Sequence, residues 1–219
     1  MKFVKKAGVP HDYKEWRKRV KGTPEENYPD GLKNPLKGKF QEALIQDQGY
    51  LCAYTMKRIA KETSHIEHIK PESRCRADCI GSDLDYENLV ACFPREGMSR
   101  RYRYGAQERA DWWENDGAEF VKPLDANCES RFRFDLDGNI EAVNDYGPAA
   151  KTIKGLGLDH ATLTEDRRRV IHEFVYGEAG DAPLSAAKAK QSSASICREN
   201  RQGEFHEFCV AIRDALIQH

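Results

Sequence analysis

The sequence has no apolar run approaching the ~20 residues that a membrane-spanning helix requires. Residues 1–6 are charged, and no apolar stretch follows them to form a secretory leader. The expectation is a chain that stays in the cytoplasm, where thiols are reduced. A disulfide framework is also missing. The seven cysteines (Cys52, Cys75, Cys79, Cys92, Cys128, Cys197 and Cys209) are odd in number and scattered, which argues against a stapled scaffold. Most are expected as small buried apolar residues. There is no internal repeat, no long low-complexity linker and no large charge excess. The net charge is −1 over 219 residues, so the chain as a whole is not a polycation.

The charge that is present is unevenly placed. Residues 1–21 carry Lys2, Lys5, Lys6, Lys14, Arg17, Lys18, Arg19 and Lys21. This run reads equally well as a nucleic-acid contact or as a solvated basic face. A second cluster, Arg95, Arg100, Arg101, Arg103 and Arg109, is interleaved with Tyr102 and Tyr104. Cations mixed with aromatics suit a phosphate backbone and unstacked bases, so these five arginines are the expected nucleic-acid contacts.

Residues 11–36, rich in Lys, Glu, Gly and Pro, predict a loop or extended arm. Leu36, Phe40, Leu44 and Ile45 then recur at helical spacing, and the helix should end near Gly49. Residues 50–59 predict a short β-like segment with a turn. Residues 64–70 predict a strand stopped by Pro71. A loop is expected over 72–86, a strand over 88–93 and a helix over 105–114. Phe132, Phe134 and Leu136 alternate before Asp137-Gly138, a hairpin signal. Beyond Pro148 the pattern is helical, over 149–156, 163–176 and about 193–218, with a break at 181–183. The fold class expected is α+β: a small strand–strand–helix core wrapped by N- and C-terminal helices.

Chemistry concentrates in Ser64-His65-Ile66-Glu67-His68-Ile69-Lys70-Pro71. Glu67 offers an oxygen ligand to a hard divalent cation such as Mg²⁺. A neighbouring neutral imidazole, with an ordinary pKa of ~6.5, can take a proton from water. Together they supply a metal ligand and a general base for phosphodiester hydrolysis. Alone, a Glu-His pair is more commonly an ordinary surface pair on a strand, and His65 reads as a structural strand histidine. Twenty residues later Asn88 precedes the apolar run 89–92, where its side chain can tie the intervening loop to the strand.

Acid–histidine strand, asparagine loop and following helix, in this order, resemble the HNH endonucleases of the ββα-metal type. More narrowly, the chain resembles PtuB, the HNH nuclease subunit of Septu and Septu-like retron anti-phage systems. The matching stretches are 46–54, 65–71, 86–92 and 104–112, with Cys128–Phe132, Asp137–Ile140, Ala150–Ile153, Leu156, Leu158 and Arg167 downstream. The resemblance implies one nuclease domain over 1–219. It would comprise a basic arm and helix (1–47), a ββα-metal core (48–115), a hairpin region (116–148) and a helical C-terminal part (149–219). It implies His68 as general base, Glu67 as metal-binding acid and Asn88 as the middle Asn that orients the loop. The third metal position, a His or Asn on the helix, is not present. Gln107 and Glu108 stand nearest, with Asp111 behind them. Mg²⁺ or another divalent metal is the implied cofactor, DNA or RNA the substrate, and an ATPase of the PtuA type the partner.

Many HNH domains also carry four thiolates on Zn²⁺ in two Cys-x-x-Cys knuckles. Here Thr55 stands where the partner of Cys52 would be, and Cys92 has none. Cys52 and Cys92 therefore read as a knuckle remnant without structural zinc. The alternative recruits Cys75 and Cys79. Two other functions stay open: a nucleic-acid-binding module that lost its chemistry, and a partner-binding subunit with an HNH-like fold.

Overall fold

The structure is a computed structural model, and it describes residues 1–95, 97–98, 102–177 and 182–218. Tyr13, Trp16 and Val20 fall on one stripe of a helix, and α1 (His11–Val20) buries that stripe. Tyr13 stacks on Phe40 with centroids 4.0 Å apart. A helix thus stands where a loop was expected, because three buried anchors outweigh the loop-forming composition around them. α2 (Tyr28–Gly31) is one turn, capped by the Asn27 side chain, which accepts from the Asp30 amide at 2.9 Å. α3 (Leu36–Asp47) forms as its spacing predicts and is followed by Gly49 at φ 54°.

Gln48, 3% exposed, then joins three elements. Its Nε2 donates to Leu51 O (2.7 Å) and Ala91 O (2.8 Å), and its Oε1 accepts from the Ala91 amide (2.7 Å). Residues 51–58 fold back on themselves through an antiparallel bridge, Leu51 to Arg58. β1 (His65–His68) and β2 (Leu89–Cys92) form an antiparallel ribbon in which Glu67 faces Val90 and His68 faces Leu89. Between them the expected loop contains α4 (Glu72–Asp78), started by Pro71, and two single turns at Ser82–Leu84 and Tyr86–Asn88.

α5 (Ala106–Arg109) is shorter than the expected helix. It stops because Ala110 takes φ 44°. The chain then turns to set Trp112 and Trp113 on Phe120, at centroid distances of 5.7 and 6.4 Å. β3 (Phe132–Phe134) and β4 (Ile140–Ala142) form the hairpin that Asp137-Gly138 announces. α6 (Gly147–Gly155), α7 (Ala161–Tyr176), α8 (Ala186–Ser193) and α9 (Cys209–Gln218) follow.

Of the single last helix expected over 193–218, only Cys209–Gln218 forms. Asn200 Oδ1 accepts from the amides of Gln202 and Glu204, both at 2.9 Å, and Gly203 sits at φ 77°. This local turn competes with helix and wins. α9 then packs against α7, α8 and β3.

The architecture is α+β: helices around two small antiparallel ribbons. Buried side chains from Met1 to Leu216 form one contiguous core. The basic N-terminal run is partly tied down. Lys2 pairs with Glu129 at 2.8 Å, and Lys6 Nζ donates to Leu89 O at 2.5 Å. Among the described residues, no helix is long and apolar enough to cross a membrane.

Candidate active site

Successive side chains on a strand point to opposite faces, so β1 divides its four residues in pairs. His65 and Glu67 share the half-buried face, and Ile66 and His68 share the buried one. Glu67 is held from two sides. Arg109 Nη1 donates to its Oε1 at 2.8 Å, and His65 Nε2 lies 3.4 Å from its Oε2. His65 Nδ1 is 2.6 Å from Pro94 O.

His68 is 7% exposed. Its Nε2 lies 2.8 Å from Asp83 O, and its ring meets the Tyr28 ring edge-on at 4.6 Å. With Nε2–H donating to that carbonyl, Nδ1 keeps its lone pair. Burial holds the imidazole below its ordinary pKa of 6.5. The Asp83 carbonyl and the Glu67 charge oppose this shift, and Arg109 adds to it. His68 is therefore neutral at pH 7, the form a general base needs.

The depressed value also makes a stability prediction. Below pH 6.5 the unfolded chain binds a proton that the folded chain refuses. The contribution of His68 is thus complete above pH 6.5 and is lost as the pH falls toward the folded value. Native protein should lose stability below pH 6.5 more steeply than His68→Asn, by up to about 1.4 kcal/mol per pH unit. Urea melts at a series of pH values measure this, and parallel curves for the two proteins would contradict it.

Asn88 grips both backbone groups of Lys70. Its Oδ1 accepts from the Lys70 amide (2.7 Å), and its Nδ2 donates to Lys70 O (3.0 Å) and to Cys75 Sγ (3.2 Å). The side chain thus closes the 70–88 loop just beyond His68.

Arg109 corrects its surface assignment. It is 2% exposed and donates to Glu67, to His68 O at 2.7 Å and to Ile69 O, with its guanidinium 5.0 Å over the Phe120 ring. A nucleic-acid strand cannot reach it. The missed signal was its position four residues into a short helix that follows the ribbon, where one side chain must face back to the ribbon. Arg95 and Arg103 are exposed, as a phosphate contact requires. Arg100 and Arg101 lie outside the described residues.

The helix candidates for metal binding fare differently. Consecutive helical residues diverge by about 100°, and Arg109 takes the direction toward β1. Glu108 is exposed, as is Asp111 beyond the helix end, so neither joins the site. Gln107 is half-buried. Its Nε2 donates to Met98 O at 3.5 Å, and its Oε1 is buried without a hydrogen-bond partner among the described residues. No group of three or more His, Cys, Asp or Glu clusters as a metal site among the described residues.

Cys52 and Cys92 do come together. Burial pushes the Cys52 thiol up, but hydrogen bonds from Cys92, from Thr55 and from the Phe93 amide (3.3 Å) outweigh it and bring it to about 6. Burial pushes Cys92, its donor, up. Cys75 bonds to Asn88 and Lys70 at the far end of the ribbon, and Cys79 is exposed. The structure therefore does not gather four thiols.

Fold and site together define an α+β protein whose antiparallel ribbon carries a carboxylate beside a buried, neutral histidine. No family model matches the sequence. Over 175 residues the chain is 27% identical to a protein of Vibrio cholerae serotype O1 biovar El Tor named "Retron Vc95 putative HNH endonuclease". The match covers 68% of this chain and 82% of that protein.

Proposed function

We propose that the chain is a metal-dependent HNH endonuclease that hydrolyses phosphodiester bonds, and that it is the nuclease effector of an anti-phage defence complex. The observation that carries this reading is the ribbon itself: Glu67 and neutral His68 adjacent on β1, with Asn88 locking the loop behind them. The similarity to a retron protein named as an HNH endonuclease supports the same class of activity.

In the proposed reaction His68 Nδ1 takes a proton from water as the water oxygen attacks phosphorus and the P–O bond to the leaving oxygen breaks. The Asp83 carbonyl holds the ring through Nε2 and so presents Nδ1. Arg109 occupies Glu67 Oε1, which leaves Oε2 to hold a divalent cation. A hard cation that keeps several waters suits one carboxylate oxygen of this kind. When bound, it supplies charge to stabilise the phosphoryl and leaving oxygens. Arg95, Arg103 and, from the sequence, Arg100 and Arg101 hold the strand.

The partner we propose is an ATPase of the PtuA type, the place of action is the cytoplasm, and the substrate is DNA or RNA. Residues 1–219 would act as one nuclease domain around the core at 48–115.

A second reading, a nucleic-acid-binding subunit without catalysis, draws on the absence of a three-donor cluster among the described residues and on the Arg109 grip on Glu67. One assay separates the two. Native protein is incubated with plasmid and with RNA, with a chelator and then with Mg²⁺ or Mn²⁺ restored. Cleavage that the chelator abolishes and the metal restores is expected. Retention of substrate without any cutting would favour the second reading.

A further inference from the structure

We propose that His65, and not a residue of the helix after the ribbon, supplies the second protein ligand of the divalent cation, through Nε2 and alongside Glu67 Oε2. This rests on the reading of the chain as a metal-dependent nuclease. In the sequence His65 passed for a structural strand histidine.

Four observations place it. First, residues two apart on a strand share a face, so His65 and Glu67 project to the same side of β1. Second, His65 Nδ1 sits 2.6 Å from Pro94 O. A neutral ring donates its proton to that carbonyl, which leaves the Nε2 lone pair directed toward the carboxylate. Metal-binding histidines are held in this way, with the far ring nitrogen donating to a backbone carbonyl or a carboxylate.

Third, Nε2 and Glu67 Oε2 are 3.4 Å apart. Two neighbouring ligands of an octahedral cation with bonds of about 2.1 Å stand roughly 3 Å apart, so a small closing movement brings both onto one ion. Two electron-rich atoms at this separation need positive charge between them. A divalent cation is one source of that charge, and the experiment tests for it directly. Fourth, the pair is accessible. The side chains are 15% and 17% exposed, and His65 lines a cleft of about 430 Å³ together with one carboxylate, Glu62, and three cations, Lys37, Lys61 and Arg95. Those cations suit the phosphate groups that a nuclease metal must meet.

Arg109 decides which carboxylate oxygen is used. It holds Oε1, so only Oε2 faces His65. This also accounts for a family-type helix ligand being dispensable here: Arg109 fixes the acid and the strand itself brings the second donor.

The test is electron spin-echo envelope modulation of the full chain loaded with Mn²⁺, which detects an imidazole nitrogen bound directly to the ion. Native protein and His68→Asn should both show the nitrogen coupling, and His65→Asn should lose it. Mn²⁺ binding by calorimetry should weaken in His65→Asn by at least about tenfold, the smaller loss seen when even an outer partner of a ligand is removed. Coupling absent from the native protein overturns the proposal without any variant, and points to a protonated His65 paired with Glu67. Coupling lost in His68→Asn and kept in His65→Asn overturns it in favour of His68. In both cases bound Mn²⁺ leaves the nuclease reading standing. Failure of the native chain to bind Mn²⁺ at all overturns both.

Discussion

His68→Ala should reduce cleavage of plasmid or RNA by about 10²–10⁴-fold, the range that a positioned general base contributes. The ring is buried against Tyr28 and bonded to Asp83 O, so alanine also leaves a carbonyl without its donor. That costs a further ~1–3 kcal/mol of stability. His68→Asn is the cleaner variant, since its amide can still donate to that carbonyl while it cannot take up a proton at neutral pH. Initial rates at saturating Mg²⁺, beside thermal melts of all three proteins, separate chemistry from folding. Native-like cleavage by a folded His68→Asn would remove His68 from the reaction and leave it a core residue.

Arg109→Met should be far more destabilising than substitution of the exposed Arg95 or Arg103. The guanidinium is enclosed, and its loss leaves the Glu67 carboxylate and the carbonyls of His68 and Ile69 without their donor. Removing one partner of such a pair costs about 3–5 kcal/mol. For a chain of this length that corresponds to a fall in Tm of roughly 6–20 °C. Arg103→Met, on the surface, should stay within about 0.5 kcal/mol of native. Calorimetric melts of the two variants make the comparison. If both melt like the native chain, Arg109 is not a structural clamp, and its place among the strand-gripping arginines is restored. The same pairing governs any substitution of Glu67. Alanine there strands a buried guanidinium, so loss of activity would mix with loss of fold. Glu67→Gln keeps an acceptor for Arg109 and removes only the charge.

Local pattern carried much of this protein. The spacing of Leu36, Phe40, Leu44 and Ile45 is a helix wherever it is placed, and Asp137-Gly138 closes a hairpin by its own turn chemistry. The 64–71 segment shows its acid–histidine pair without any tertiary contact, because the residue types name the chemistry. Alternation on a strand even puts His65 and Glu67 on one face. Elsewhere local signals competed. α1 was hidden because three anchors were scattered among charged and turn-forming residues, and only their burial against Phe40 decides for a helix. The break before α9 depended on one asparagine side chain capturing two amides.

What tertiary structure alone decided is the use of each charge. An arginine in a basic, tyrosine-rich stretch looks like a phosphate contact, and the sequence determined only that it is cationic. Arg109 became a clamp on Glu67 because a four-residue helix docks beside β1 and points one of its side chains inward. Cys52 and Cys92 meet because residues 51–58 fold over the end of β2, while Cys75 is carried to the other end of the ribbon by its bond to Asn88. Which oxygen of Glu67 is left open follows from the register of two strands and the direction of one helix. Those are properties of packing between segments distant along the chain, and no spacing within a segment encodes them.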